Sequence, residues 1–353
     1  IQGAGAISRV PYLYVVGDGV PNDVIALTGD GFDAVAGDYL PGGIAFRVID
    51  RYGAPVKGLA VQFGVTRGGG VVRNADSRTD QYGIAGADAI LGSALGSQQF
   101  AAAAGNLTVP FSGNARARPA ISSNGIVNAT SFRSGPVAPG SYISIFGRGL
   151  SDVSGVESTA YLPLSLAGVS VSFDVPSAGL SVPGRVIFVS PSQVNVQVPW
   201  ELRGQTSALV KVNIGYTSGQ LYTVQLADYS PAVYADRNNG AAALNESNAV
   251  ISSGVPALRG HVVQLYVNGL GPVNNQPATG DPAPSATLSR TLATPSVSIG
   301  GRPAAVSFSG LAPGFPGLNQ INFEVPADTP TGAQQVLVTI GGLAAPPVTL
   351  PVQ

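Results

Sequence analysis

The chain has 353 residues, of which 10% are charged, and its formal net charge at pH 7 is −1. Lys57 and Lys211 are its only lysines, and because nucleic-acid binding needs a basic surface, this balance argues against nucleic-acid partners. No run of roughly 18 or more apolar residues occurs, so no membrane span is predicted. The absence of cysteine excludes disulfides, thiolate zinc sites and cysteine nucleophiles.

The hydrophobic share of 44% is large enough for buried cores, and the length predicts about two to four domains. The sequence starts at Ile1 and contains no methionine. We interpret this start as the result of signal-peptide removal, which predicts an extracellular or cell-surface location.

Residues 1–22 form a candidate N-terminal arm. An extended segment that is apolar on both faces favours burial on both faces. Two alternatives follow: the arm adds as a strand to a neighbouring subunit by donor-strand complementation, or residues 9–16 form an extra strand of their own sandwich. The candidate polymerisation arm consists of apolar residues that would alternate between the faces of a strand: Val10, Tyr12, Leu13, Tyr14, Val15 and Val16.

Short runs rich in β-branched residues recur along the rest of the chain and end at Gly, Pro, Asn, Asp or Ser, a pattern typical of β-sandwiches. Residues 85–105 are alanine-rich, but each interior glycine costs about 1 kcal/mol in a helix. Two strands joined by a turn near Gly96 are therefore predicted there. The other predicted strands are 44–49, 60–65, 142–146, 169–173, 186–189, 194–198, 209–214, 262–267, 296–299, 305–308, 321–325 and 336–340.

An internal repeat relates the second and third parts of the chain. Residues 140–150 match 260–270, residues 193–199 match 320–326, and residues 210–215 match 336–341, in the same order. Repeats at a fixed offset indicate repeated structural units. We therefore predict an immunoglobulin-like domain over 23–115, a linker over 114–119, and two homologous domains over 120–232 and 233–353.

The first domain carries an ordered set of motifs: Val48-Ile-Asp-Arg-Tyr-Gly-Ala-Pro-Val56, Val61-Gln-Phe63, Gly68-Gly-Gly70, Thr79-Asp-Gln-Tyr-Gly-Ile-Ala85 and Leu91-Gly92. On these residues, the segment 23–113 resembles the bacterial immunoglobulin-like domains of the invasin/intimin type (Big-1). The two Asp-x-x-Gly sequences predict tight turns in which Gly53 and Gly83 supply a positive φ.

The remaining chain carries Val127-Asn-Ala129, Val137-Ala-Pro-Gly140, Ser144-Ile-Phe-Gly147, Val189-Ser-Pro191, Gly269-Leu-Gly-Pro272, Gly280-Asp-Pro-Ala-Pro284 and Leu311-Ala-Pro-Gly314. With these motifs, residues 124–353 resemble the repeat domain found at the C-termini of many secreted acidobacterial proteins, a family of unknown function. The resemblance implies paired immunoglobulin-like (IPT/TIG-like) sandwiches and no activity.

Residues that could carry chemistry are few. His261 is the only histidine, and the repeat predicts it at the start of a surface strand. No Gly-x-Ser-x-Gly turn accompanies it, and one imidazole does not make a histidine-based metal site. The spacing of the N-terminal aspartates does not fit an EF-hand loop, so solvated turns are preferred to a calcium site. These aspartates are Asp18, Asp23, Asp30, Asp33 and Asp38.

The remaining candidate functional residues are Trp200 and the asparagines of three Asn-x-Ser/Thr sequences. Trp200 is the only tryptophan, and we prefer packing at a domain edge to a sugar-stacking platform. Asn106, Asn128 and Asn245 match the glycosylation pattern.

The sequence therefore predicts an all-β protein of three tandem immunoglobulin-like β-sandwiches with an extended N-terminal arm. No catalytic site, cofactor or metal is predicted. The favoured hypothesis is a structural subunit of an extracellular bacterial filament, whose partner is a second copy of itself, bound head-to-tail through the arm. Scarce lysine favours assembly, since isolated sandwiches protect their edges with charge. The alternative is a secreted or surface adhesin or carbohydrate-binding stalk, with host-surface or matrix glycans as partners.

Overall fold

The computed structural model describes residues 16–215 and 217–353, and β-strands are their main regular structure. The predicted all-β fold class is confirmed. Contacts divide the chain into two compact units, which end at residue 118 and residue 353. No helix in the described ranges is long and apolar enough to cross a membrane. The predicted boundaries of the arm and the three sandwiches stay predictions.

In the first unit, apolar side chains from two four-stranded sheets form one core, with Phe46, Phe100 and Phe111 at its centre. The sheet orders are β1-β3-β6-β5 and β2-β8-β7-β4, and only the β2–β8 pairing of these described strands is parallel. The strands are β1 (Asp23–Thr28), β2 (Phe32–Val35), β3 (Ile44–Ile49), β4 (Val61–Arg67), β5 (Val71–Arg73), β6 (Ile84–Ile90), β7 (Gly96–Ala104) and β8 (Leu107–Arg116).

The second unit begins with two sheets that enclose a core of valine, isoleucine and leucine around Phe173. One sheet has the order β11-β15-β16-β10-β9; the other has the order β12-β13-β17-β18, with β14 on β13 and β19 on β17. Single 3-10 turns cover Pro176–Ala178 and Trp200–Leu202. The strands are β9 (Ala120–Asn128), β10 (Tyr142–Arg148), β11 (Gly155–Val156), β12 (Ser165–Leu166), β13 (Val169–Val175), β14 (Leu180–Pro183), β15 (Arg185–Val189), β16 (Gln193–Gln197), β17 (Ser207–Ile214), β18 (Thr217–Ser218) and β19 (Tyr222–Gln225).

Two further sheets in the second unit enclose a separate core around Phe323. Their orders are β20-β22-β26-β25, with β21 on β22, and β24-β23-β27-β28, with β29 on β27. The strands are β20 (Ala232–Val233), β21 (Ala243–Asn245), β22 (Val262–Asn268), β23 (Ser296–Ile299), β24 (Arg302–Ala304), β25 (Val306–Leu311), β26 (Asn319–Glu324), β27 (Gly332–Ile340), β28 (Leu343–Ala344) and β29 (Val348–Val352).

The two halves of the second unit repeat the same strand pairing. β10 pairs with β16 as β22 pairs with β26, and β13 pairs with β17 as β23 pairs with β27. The pairing register shifts between Val186 and Phe188 in β15 and between Val306 and Phe308 in β25. The matched sequence segments therefore form equivalent strands.

The predicted strands outside residues 85–105 each overlap an observed strand, and the bounds 44–49 and 296–299 agree with β3 and β23. Residues 85–105 fall mostly in β6 and β7, as predicted, although these two strands lie in different sheets. The linker predicted over 114–119 is wrong for residues 114–116. They continue β8 beside β2, because Ala115 packs into the core of the first unit.

The two predicted turns of the first unit have the same hydrogen bonds. The Asp50 carboxylate accepts the amide N–H groups of Tyr52 and Ala54, both at 2.9 Å. The Asp80 carboxylate likewise accepts the amide N–H groups two and four residues further along. The φ angles of Gly53 and Gly83 are +78° and +73°, which confirms the predicted turns.

Candidate functional site

Most of the candidate polymerisation arm lies outside the described residues, so its role stays a prediction. Val16 is within the described ranges, and 83% of its surface is exposed. No described residue of its own unit covers most of this side chain. The arm residues outside the described ranges are Val10, Tyr12, Leu13, Tyr14 and Val15.

Residues 18–22, which follow the candidate polymerisation arm within the predicted N-terminal arm, are bonded to their own unit. The amide N–H of Asp18 donates to the Asp50 carboxylate at 2.8 Å, and Arg51 Nε donates to the Asp18 carboxylate at 2.9 Å. The amide N–H of Asn22 donates to the carbonyl of Ile49 at 2.9 Å. Residues 18–22 therefore attach the arm to the end of β3 and the turn after it.

Asp50 supports this attachment as a buried carboxylate. Burial acts to raise its pKa, but amide N–H groups of Ala54, Tyr52, Gly19 and Asp18 donate to the carboxylate and together hold the pKa below its ordinary value of 3.8. Hydrogen bonds to the charged form stabilise that form. Asp50 is therefore a structural anion that orders the turn and the start of the arm.

An edge of the first unit lacks a strand partner within the described residues. β4 pairs with β7 on one side, and beyond Val61 no described strand is hydrogen-bonded to its other side. Val65 lies on the same face as Val61 and Phe63, because side chains alternate along a strand. It is nevertheless 37% exposed. Arg67 is the only charged residue in β4, so this edge has little charge to protect it.

The aspartates near the N-terminus bind separate structural partners, and the predicted solvated turns are wrong for Asp23 and Asp33, which lie in β1 and β2. No group of three or more potential metal-ligating side chains occurs within residues 16–215 and 217–353. The carboxylates of Asp18, Asp33 and Asp38 form ion pairs with Arg51, Arg116 and Arg118, respectively. The carboxylates of Asp23 and Asp30 accept the amide N–H groups of Val24 and Ser112, respectively.

His261 is exposed and directly precedes β22, which confirms its predicted position at the start of a surface strand. Its Nδ1 lies 3.2 Å from a carboxylate oxygen of Glu246, whose other oxygen accepts the amide N–H of Val262 at 2.8 Å. The Val262 hydrogen bond, and after it the one with His261, lower the pKa of Glu246. This exposed pair is a surface contact between β22 and the turn after β21.

Trp200 is buried at the junction between the two cores of the second unit, and 5% of its surface is exposed. Its ring lies against Gly140 and forms a small apolar cluster with Val273, Ala283 and Leu311. The packing interpretation of Trp200 is confirmed, because a buried indole does not offer a face to a sugar.

A buried amide network also crosses this junction. The Asn268 side chain is fully buried; its Oδ1 accepts the amide N–H of Tyr142 at 2.9 Å, and its Nδ2 donates to the Tyr142 carbonyl at 2.8 Å. The same Nδ2 donates to Asn128 Oδ1 at 3.1 Å. Burial raises the pKa of Tyr142 well above its ordinary range, and its hydroxyl donates to the carbonyl of Pro316.

Gln197 forms a second polar link across the junction. Its Oε1 accepts the amide N–H of Gly280 at 2.8 Å, and its Nε2 donates to the Gly140 carbonyl at 3.3 Å. Thr279 Oγ1 accepts the amide N–H of Trp200 at 3.0 Å. Because buried polar groups without partners are costly, these specific bonds fix how the two halves of the second unit pack.

Beside this junction lie two adjoining cavities of about 590 and 270 Å³. Ser131, Arg133 and Pro346 line both, so we treat them as one feature, the junction cleft. Its wall includes Phe132 after β9 and Arg237 after β20. The junction cleft combines apolar, hydroxyl and guanidinium groups.

The Phe132 loop, defined as residues 129–133, is ordered by Asn128. Asn128 Oδ1 accepts the amide N–H groups of Thr130 and Ser131 at 2.9 and 3.3 Å, and the Asn128 carbonyl accepts that of Phe132 at 2.9 Å. Phe132 has a φ of +54° and 60% of its surface exposed. Its ring centroid lies 6.4 Å from that of Phe146.

Sequence reasoning missed Asn128 and Phe132 as parts of a site. Asn128-Ala-Thr130 matches a glycosylation sequon, but an asparagine side chain also forms a turn by accepting hydrogen bonds from the backbone N–H groups that follow it. The Asn128 side chain is buried and bonded. The strand pairing relates the two turns, since Asn128 pairs with Ile143 as Asn245 pairs with Val263.

No protein-family model matches the chain, and no curated protein matches it. Among solved structures, it is similar to the C-terminal 282-residue fragment of intimin in complex with the intimin-binding domain of its translocated receptor. That similarity has 14% identity and a TM-score of 0.34, and covers 61% of this chain and 66% of the intimin fragment.

The chain is also similar to the Escherichia coli adhesin FdeC, with 15% identity, a TM-score of 0.25, and coverage of 95% of this chain and 99% of FdeC. For invasin, a bacterial integrin-binding protein, the identity is 15%, the TM-score 0.26, and the coverage 94% of this chain and 60% of invasin. These three structures belong to bacterial adhesins with immunoglobulin-like domains, the class that residues 23–113 resemble. At such identities the similarity concerns the fold alone. The resemblance of residues 124–353 stays a prediction.

Proposed function

We propose that the chain is a structural subunit of an extracellular filament, and that residues 10–16 of one copy add as a strand to the edge of β4 in the next copy. The observation that carries this proposal is the β4 edge. An extended segment binds a free sheet edge through its backbone groups, and the side chains on one face give specificity.

The candidate polymerisation arm and β4 have the same length, and both have little charge. Residues 10–16 and β4 both have seven residues, and the arm segment has no charged side chain. Pro11 is compatible with this position, because proline is tolerated in an edge strand where its missing N–H is not needed. The inward face of an added strand would cover Val65, the partly exposed valine of the first unit.

The small number of charged residues supports assembly into a polymer rather than a monomeric state. Lysine and inward-pointing charge are among the devices that protect the edges of monomeric sandwiches, whereas this chain has two lysines among 353 residues and only 10% charged residues. Edges that are buried in a polymer do not need such protection. An extracellular or surface location, reached after removal of a signal peptide, belongs to the same proposal.

Paired cysteine variants test the proposal without background cross-linking, because the chain contains no cysteine of its own. Gly64→Cys places a thiol on β4 where a Cβ meets no atom within 4 Å. Tyr14→Cys places another in the arm. We expect the two single variants, mixed and treated with a short bismaleimide, to give a covalent dimer of one copy of each.

The control variant is Ala101→Cys, on the neighbouring strand β7 and directly opposite Gly64 in the pairing register. β7 is flanked by β4 and β8, so Ala101→Cys should cross-link much less to the arm thiol. If the double variant Tyr14→Cys/Gly64→Cys cross-links only within one chain while the mixed single variants do not react, the arm belongs to its own sandwich and the filament proposal is wrong.

A surface adhesin-like stalk is the second candidate, favoured by the bonded junction within residues 119–353. Two sandwiches that share buried hydrogen bonds are suited to hold a distal surface away from a cell. A chain that stays monomeric in light scattering, with no cross-link between copies, would support the stalk over the filament.

A further inference from the structure

We propose that the junction cleft binds an acidic oligosaccharide, with a sugar ring packed on Phe132 and the acid groups bound by Arg133 and Arg237. This site goes beyond the proposed filament, because it lies in residues 119–353 and does not involve the arm or β4. Its larger cavity alone, about 590 Å³, falls within the range of roughly 300–1,000 Å³ that is typical of ligand pockets.

Phe132 carries a backbone cost that packing does not explain. A positive φ is rare for residues other than glycine, asparagine and aspartate, and is an outlier for a bulky side chain. A phenylalanine held at +54° with 60% of its surface in solvent gains little burial in return. Conformations of this kind concentrate at ligand sites, where the surroundings enforce them.

The repeat provides an internal comparison for Phe132. Asn245 holds the equivalent position to Asn128, and its Oδ1 accepts the amide N–H groups of Ser247 and Ala249, both at 3.0 Å. The positive-φ residue of that turn is Asn248, at +59°. Asparagine suits this conformation. Asn248 follows Asn245 by three residues and Phe132 follows Asn128 by four, so the comparison shows that an asparagine-ordered turn at this edge forms without an aromatic residue.

Arg133 and Arg237 supply the charge. Neither guanidinium forms an ion pair with any of the described residues, and both line the larger cavity. The carboxylate of Asp236, which also lines it, accepts the amide N–H groups of Asn238 and Gly240, both at 2.8 Å, and so serves its own turn. Two unpaired guanidinium groups favour an anionic ligand.

The ligand chemistry follows from combining the aromatic ring with the arginines. One face of a pyranose presents C–H groups that pack on a flat apolar ring, and the guanidinium fork binds a carboxylate or a sulfate through two parallel hydrogen bonds. Asn128 fixes the Phe132 loop and is itself bonded to Asn268. The Phe132 loop is therefore ordered before a ligand binds, which lowers the entropic cost of binding.

The test measures binding of the full chain to a panel of uronic-acid and sulfated oligosaccharides and to neutral oligosaccharides of the same length, by titration calorimetry. We expect the acidic panel to contain binders and the neutral panel to bind more weakly. Phe132→Asn should reduce the affinity about tenfold or more, as for a central aromatic anchor. Its melting temperature should be unchanged or higher, because asparagine suits a positive φ.

The double variant Arg133→Gln/Arg237→Gln separates the contribution of the guanidinium groups to binding from the contribution of the Phe132 ring. It should remove the preference for acidic over neutral sugars and the weakening of binding by salt. Arg259→Gln, which removes an exposed arginine outside the cleft, is the control and should bind as the unmodified chain does. Absence of binding to every acidic oligosaccharide, or equal binding by Phe132→Asn, would overturn the proposal.

Discussion

Gly140 and Gly260 hold equivalent positions in the two repeats, yet their surroundings differ. Both have a positive φ, of +81° and +79°. A Cβ on Gly140 would overlap the Trp200 ring, whereas a Cβ on Gly260 would meet no atom within 4 Å. The positive φ alone favours glycine at position 260. At position 140, the positive φ and the close approach of the Trp200 ring both require glycine.

We therefore expect Gly140→Ala to lower the free energy of unfolding by roughly 3 kcal/mol, the sum of left-handed strain and overpacking. Gly260→Ala should cost only about 1 kcal/mol, since it adds strain without a clash. Urea unfolding of both variants measures the difference. Equal losses in the two variants would show that Trp200 does not pack on Gly140 as described.

At the same scale, sequence reasoning succeeded where the cause is local. Gly53 and Gly83 were predictable because Asp-x-x-Gly forms its turn from its own side chain and backbone. Phe132 was not predictable in this way, because nothing in the adjacent sequence requires a positive φ at an aromatic residue. Its conformation depends on Asn128, which in turn depends on Asn268, 140 residues away.

At the scale of the elements, the positions of the strands can be predicted from hydrophobic alternation in the sequence. The junction between the two halves of residues 119–353 cannot be predicted in this way. β10 and β22 match in sequence, and the repeat predicts their equivalence. The residues that bind the two halves together occupy unequal places in the repeat: Asn268 in β22 corresponds to Arg148 in β10. Contacts between domains depend on such differences, and neither periodicity nor internal similarity shows them. The same limit applies to β8, whose last residues depend on pairing with β2 rather than on local propensity.

The junction provides the prediction at this scale. Asn268→Ala removes the hydrogen-bond partner of the buried amide N–H of Tyr142, whereas the Tyr142 carbonyl still accepts the amide N–H of Ala129 at 3.1 Å. A buried polar group left without a partner costs about 1–3 kcal/mol, so the free energy of unfolding should fall by roughly 2 kcal/mol. Calorimetry should also show the two halves of residues 119–353 unfolding less cooperatively.

Asn238→Ala is the control for Asn268→Ala, because Asn238 is exposed. An exposed substitution of this kind changes stability by within about 0.5 kcal/mol. Equal stability of the two variants would mean that the amide network does not hold the junction together.

For the whole molecule, the two proposals assign different roles to two separate surfaces. The first unit has an arm that precedes a bonded anchor at residues 18–22 and an edge strand with a single charge. Residues 119–353 form a second unit with two cores, a bonded junction and a cleft. A filament built through the first unit would display many copies of that cleft, and repeated weak sites along one polymer gain avidity.

The central claim is that the arm of one copy joins it to the next copy. Negative-stain electron microscopy of the full chain and of a variant that lacks residues 1–16 tests this claim most directly. The variant retains Asp18 and Asn22, so its first unit should stay folded, as circular dichroism can verify. We expect filaments from the full chain and only dispersed particles from the variant. Filaments that form equally well without residues 1–16 would contradict the account.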